Sequence, residues 1–150
     1  MKHFSIRPMT NTKLSIALIL FGTFLGVRAE VVNVDPSELS RLAASGVPVI
    51  DIRTAPEWKE TGVLAGSKLM TFFDEKGQVD APGWVAKLKP IAGPGQPVIL
   101  ICRSGNRSSL AAQFLSNQVG YKTVYNASGG IHAWTKGGHP VVAPSNAVSQ

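Results

Sequence analysis

The sequence predicts an α/β domain whose central parallel sheet carries helices on both faces. Short β-branched runs alternate with segments of helical spacing along the chain. The two strongest runs, residues 48–52 (PVIDI) and 98–101 (VILI), are apolar without alternation, as strands buried on both faces must be. No internal repeat, low-complexity stretch or long linker interrupts the pattern, so the 150 residues hold one domain.

The N-terminus reads as a targeting segment. Residues 1–13 carry Lys2, Arg7 and Lys13 and no acid, residues 14–27 (LSIALILFGTFLGV) are almost wholly apolar, and Val27-Arg28-Ala29 ends with small residues at its first and third positions. That is the layout of a secretory signal peptide, residues 1–29, cleaved after Ala29. The apolar run is shorter than the ~20 residues that span a bilayer, so no stable membrane insertion is expected after cleavage. The expected location is outside the cytoplasm, in a periplasm. Cleavage changes the charge reading. The whole chain has a formal net charge of +6, but residues 30–150 keep eleven basic and nine acidic residues, a net +2. No basic run remains and the aromatics are not interleaved with cations, which excludes a nucleic-acid partner. With a single cysteine the fold cannot rely on an internal disulfide.

The elements follow in order. Asp35-Pro36-Ser37-Glu38 opens a helix, with Asp35 placed to cap it and Pro36 at its first position, and Leu39, Leu42 and Ala43 keep helical spacing up to Gly46. Residues 48–52 form a strand, 55–61 a short helix stopped by Gly62, and 68–73 a brief strand or extended segment. Residues 82–91 form a helix presenting Trp84, Val85, Leu88 and Ile91. A breaker cluster at 93–97 precedes the strand 98–101, and an amphipathic helix runs to about Val119. Residues 123–125 are a third strand, Gly129-Gly130 opens a last helix around Trp134, and residues 144–150 are a flexible tail after a domain of residues 30–143.

The specific chemistry gathers in Cys102-Arg103-Ser104-Gly105-Asn106-Arg107-Ser108. In an open α/β sheet ligands bind beyond the carboxyl ends of the strands, and Cys102 directly follows the most hydrophobic one. Gly105 and Asn106 tolerate unusual dihedrals, so the loop can turn its N–H groups inward, and the following helix adds its positive end. Arg103 and Arg107 bring fixed positive charge. Together these favour a cysteine thiolate and a cradle for a small anion. Ser104, Gly105, Asn106 and Ser108 are expected to act through backbone N–H groups, with a helix cap as the other reading of Ser108. Asp51 and Arg53 are read as structural support, either bracing the loop or, for Arg53, pairing with Glu57 at the surface. Trp134 is read as core. His132 and His139 are read as structural, since two histidines without a third ligand make no metal site. No cofactor or metal is expected.

Residues 102–108 resemble the active-site loop of the single-domain rhodaneses, in an exported form. Val49-Ile50-Asp51-Ile52-Arg53 with Glu57-Trp58 resembles that family's first signature. Gly129-Gly130-Ile131-His132-Ala133-Trp134, followed by Gly138-His139-Pro140-Val141, is similar to its closing segment. The resemblance spans residues 34–142. It implies a three-layer fold with a parallel sheet of about five strands. It also implies that Cys102 takes a sulfane sulfur from thiosulfate or a related donor, holds it as a persulfide and passes it to a thiophilic acceptor such as cyanide, a thiol or a protein thiol. Arg103 and Arg107 would then bind the donor's oxygens. One departure stands out: where the family shows Gly-His-Ile-x-Gly-Ala, this chain reads Gly62-Val63-Leu64-Ala65-Gly66-Ser67.

Two rivals come from other classes. Cysteine-dependent phosphatases and arsenate reductases use C-x5-R loops, and the spacing of Cys102 and Arg107 is C-x4-R, better suited to a compact sulfur than to a phosphoryl group. A rhodanese-like binding or sulfur-carrier module without turnover is the other, although such modules often lack the cysteine kept here.

Overall fold

The computed structural model describes residues 29–147. The predicted signal segment, up to residue 28, and the last three residues of the predicted tail lie outside the described residues. Five strands, β1 (Glu30–Val34), β2 (Val49–Asp51), β3 (Lys68–Leu69), β4 (Val98–Ile101) and β5 (Thr123–Ala127), form one sheet in the order β1-β5-β4-β2-β3. Every pairing is parallel. The helices are α1 (Pro36–Ala44), α2 (Ala55–Thr61), α3 (Ala81–Leu88), α4 (Asn106–Phe114), α5 (Gly130–Lys136) and α6 (Pro144–Ala147).

Alternation along the strands builds two cores. Ile50, Ile52, Val98, Leu100 and Cys102 face α3 and α4, packing with Val85, Leu88, Ala111 and Leu115. Val49, Ile99 and Ile101 face the other way, against Leu39 and Leu42 of α1 and Ile131 and Trp134 of α5. All four residues of β4 are fully buried, which is why its sequence shows no polar face. Phe72 meets Trp84 edge-on at 4.9 Å and lies 5.8 Å from Phe114, joining the β3 edge to α3 and α4. Trp84 Nε1 donates to Met70 O at 2.9 Å.

The helix ends follow their sequence signals. Asp35 accepts from Glu38 N at 2.9 Å, and Thr54 and Glu57 form a capping box at the start of α2. The helix expected to run to Val119 does so, but its final stretch, Leu115–Val119, widens into a π-turn that ends at Gly120. Two differences concern the ends of the domain. The strand β1 is absent from the sequence reading and pairs along its whole length with β5. Residues Pro144–Ala147 form a helical turn within the stretch read as a flexible tail.

The departure at residues 62–67 is accommodated locally. Val63 is fully buried and exchanges backbone hydrogen bonds of 3.0 and 2.9 Å with Val142, tying this segment to the C-terminal one. Ser67 is also buried, and its hydroxyl donates to Leu64 O at 2.7 Å. Among the described residues no helix is long and apolar enough to cross a membrane.

Candidate active site

The carboxyl ends of β2, β4 and β5 bring the candidate residues to one edge of the sheet. Cys102 follows β4 immediately and turns toward α4, the same side as Leu100. Gly105, with φ +92°, reverses the chain and caps α4. This turn aims Gly105 N–H at Cys102 Sγ, 3.1 Å away, as the loop reading expects. A side chain there would also press on Gly129 N, 3.0 Å from the Cβ position.

Ser108 departs from the expectation. It lies inside α4, where Gly105 is the cap, so it is not a capping residue. Its contribution is the hydroxyl, which lies 3.2 Å from Cys102 Sγ and 2.6 Å from Asn126 Oδ1. The reason is geometric: the third residue of a helix that begins behind the cysteine points back into the turn. Cys102 is 1% exposed. Burial alone would suit an inert core thiol, but this sulfur sits at a helix N-terminus with the Gly105 N–H directed at it and the Ser108 hydroxyl beside it.

The amides of α5 hold the loop from the other side. Ile131 N donates to Cys102 O at 2.9 Å and His132 N to Arg103 O at 3.2 Å. Gly130, with φ +57°, makes this approach possible, because a Cβ would lie 2.6 Å from the carbonyl carbon and oxygen of Arg103 and closer still to Cys102 O. Gly130 is therefore a packing requirement of the cysteine loop, whereas a side chain at Gly129 would meet Ala133 of α5 itself.

The charged residues divide differently from expectation. Arg53 does not pair with Glu57 at the surface. It is fully buried and clasps Asp51, with Nε 2.9 Å from Oδ1 and Nη2 2.6 Å from Oδ2. Its remaining N–H groups reach Thr61 Oγ1 at 2.6 Å and Gly62 O at 2.9 Å. With the Glu57 carbonyl oxygen 3.5 Å from Nη1 as a third, the carboxylate and three further acceptors cover all five N–H groups, which is what makes the burial of this guanidinium tolerable. Asp51 is the register partner of Ile101, so this pair braces the strand end from which Cys102 leaves.

Glu57 takes Arg107 instead, at 2.5 and 3.0 Å, across 50 residues of sequence. Burial opposes ionisation of Glu57, but hydrogen bonds from Arg107 and Thr54 outweigh it and hold its carboxyl at about 2. Donating to the Glu57 carboxylate raises Arg107 above its ordinary value. Arg107 thus joins the cysteine loop to α2. Arg103 is exposed, and its Nε donates to His132 Nε2 at 3.3 Å, so His132 stands at the loop. His139 stacks on Trp134 at 4.3 Å, and Trp134 is core. Ser104 and Asn106 are exposed on the loop. Among the described residues no cluster of three or more His, Cys, Asp or Glu offers a metal site.

Fold and site together define an α/β protein with a lone cysteine held in a strand-to-helix loop at the carboxyl edge of its sheet. Residues 35–137 match the rhodanese-like domain. The chain is 30% identical over 116 residues to thiosulfate sulfurtransferase 18 of Arabidopsis thaliana, covering 75% of this chain and 84% of that one. It superposes with a TM-score of 0.59 and 26% identity on the polysulfide-sulfur transferase homodimer of Wolinella succinogenes, covering 77% of this chain and 81% of the other. A Rhodopseudomonas palustris protein of unknown function, a possible tyrosine phosphatase, matches with a TM-score of 0.55 and 25% identity over 75% of this chain and 85% of its own. The chain belongs to the rhodanese-like family, among sulfurtransferases.

Proposed function

We propose that this protein moves a sulfane sulfur from thiosulfate, or a related anionic donor, to a thiophilic acceptor through a persulfide on Cys102. The observation that carries the reading is what surrounds one sulfur: Gly105 N–H points at Cys102 Sγ from 3.1 Å, and the Ser108 hydroxyl stands 3.2 Å from it. An N–H preset on an atom that bears negative charge stabilises it, and here that donor is Gly105. The thiolate attacks the outer sulfur of thiosulfate, a new S–S bond forms, and the old one breaks with its electron pair leaving on sulfite. An acceptor such as cyanide or a thiol then attacks the terminal sulfur of the persulfide and the thiolate returns.

The phosphatase reading is disfavoured by the length of the loop: Cys102 to Arg107 is C-x4-R, one residue shorter than the C-x5-R of the cysteine phosphatases. Arg103, exposed at the loop, is the cation available to a donor's oxygens. Export through cleavage after Ala29 to a periplasm belongs to the same proposal, supported by the basic, apolar and small-residue layout of residues 1–29.

The test is a transfer assay with thiosulfate and polysulfide as donors and cyanide as acceptor, run beside an aryl phosphate hydrolysis assay. Thiocyanate formation that depends on Cys102, without phosphate release, is expected. Phosphate release without thiocyanate would overturn the proposal.

A further inference from the structure

The sulfur of Cys102 ends a chain of hydrogen bonds that starts at the edge of the sheet. Asn33 on β1 and Asn126 on β5 are register partners, and Asn126 Nδ2 donates to Asn33 Oδ1 at 2.8 Å. Asn126 Oδ1 accepts from Ser108 Oγ at 2.6 Å, and Ser108 Oγ lies 3.2 Å from Cys102 Sγ. Ser108 and Asn126 are buried. Asn126 stands beside Leu100 in the register and two residues after Val124, both members of the apolar core under α4. Packing alone calls for an aliphatic side chain at that position, and a buried amide is tolerated only with its polar atoms partnered.

The polarity of the chain rests on one proton. A serine hydroxyl has a single hydrogen and two lone pairs. Its closest acceptor is Asn126 Oδ1, with Cys102 Sγ and Gly105 O both at 3.2 Å. With the hydrogen on Asn126, Ser108 Oγ offers the sulfur a lone pair, which suits a neutral thiol donating S–H. An anionic sulfur needs a donor instead. Turning both amides over supplies it: Asn33 Nδ2 then donates to Asn126 Oδ1, Asn126 Nδ2 donates to Ser108 Oγ, and the Ser108 hydroxyl turns to the sulfur. Asn33 is exposed and turns against water.

We propose that Asn126 is a positioning residue and that the relay Asn33–Asn126–Ser108 reverses its hydrogen-bond direction when the Cys102 sulfur becomes charged. On ionisation the thiol proton leaves to solvent base, and only hydrogen-bond direction passes along the relay. The inference rests on the proposed role of Cys102 as the reacting group. Other charged groups also surround the loop. Arg107 with Glu57 lies on the α2 side, Arg103 and His132 lie on the α5 side, and the Asp51–Arg53 pair stands at the end of β2. None is altered by substitutions at residues 33 or 126.

The decisive variant is Asn33→Asp, on the exposed edge of the sheet. A carboxylate there only accepts, so it holds Asn126 Nδ2 outward and keeps Asn126 Oδ1 on the Ser108 proton. Iodoacetamide alkylation of Cys102 across pH reads the consequence. The midpoint is expected to rise by about one pH unit, a roughly tenfold slower reaction at neutral pH, for one hydrogen bond lost to a charged group. The same substitution in a Ser108→Ala background is expected to move the midpoint little, because the relay is already cut. Asn126→Asp should shift the profile in the same direction as Asn33→Asp. An unshifted profile for Asn33→Asp, or an equal shift in both backgrounds as a through-space charge would give, overturns the proposal. Alkylation needs no sulfur donor, so a shifted profile without sulfur transfer would refute the functional reading and leave the relay standing.

Discussion

Replacing Gly130 by alanine tests whether α5 holds the cysteine loop in place. The new methyl would meet the carbonyl carbon and oxygen of Arg103 at 2.6 Å, atoms that belong to the backbone and cannot swing aside. Relief requires α5 to retreat, which lengthens the bonds from Ile131 N to Cys102 O and from His132 N to Arg103 O. Two hydrogen bonds at about 1 kcal/mol each, with about 1 kcal/mol for alanine in a left-handed conformation, give about 3 kcal/mol. For a domain of this size that corresponds to roughly 10 °C in Tm, measured by far-ultraviolet circular dichroism. The alkylation rate of Cys102 should change as well, because its carbonyl is one of the displaced anchors. A Tm within about 2 °C of the parent, with unchanged alkylation, would refute the claim that this glycine exists for the loop.

Three further outcomes are expected. Asp51→Ala leaves the buried Arg53 guanidinium without its carboxylate and should cost about 3–5 kcal/mol in urea denaturation, while a loss under 1 kcal/mol would show that the pair does not brace the strand end. Glu57→Gln should destabilise by about 1 kcal/mol at neutral pH, a modest figure because the Arg107–Glu57 pair is partly open to solvent. Since the folded carboxyl sits at about 2 against an ordinary 4.5, this stabilisation is complete above about pH 4.5 and is lost as pH falls toward 2. The urea midpoints of parent and variant should therefore converge on acidification, and a gap that persists at pH 2 would contradict the assignment. Arg103→Ala, at an exposed position, should raise the thiosulfate KM without lowering Tm, and unchanged kinetics would remove it from donor binding.

What the sequence made legible depended on range. The alternation of apolar runs and helical spacing announced the parallel sheet because β4 and β2 are buried on both faces. The cysteine loop was legible because its glycine, arginines and cysteine are contiguous. β1 escaped because its burial is mixed, from exposed Glu30 to buried Val34, and the strand it pairs with, β5, is far along the chain. The Arg107–Glu57 pair, Asn126 beside Ser108 and His132 beside Arg103 were hidden for the same reason, with 50, 18 and 29 residues between partners. Glu57 looked like a partner for Arg53 four residues away, but Asp51 is nearer in space and already buried at the strand end. Local spacing cannot decide between two acceptors when burial chooses one.

The most direct test of the account is the intact mass of the protein before and after thiosulfate, with cyanide added last. A gain of one sulfur atom that cyanide removes, and that Cys102→Ser abolishes while its circular dichroism stays unchanged, is the expected result for a cysteine persulfide carrier. No gain on a reduced, alkylatable thiol, or a gain that survives Cys102→Ser, would contradict it.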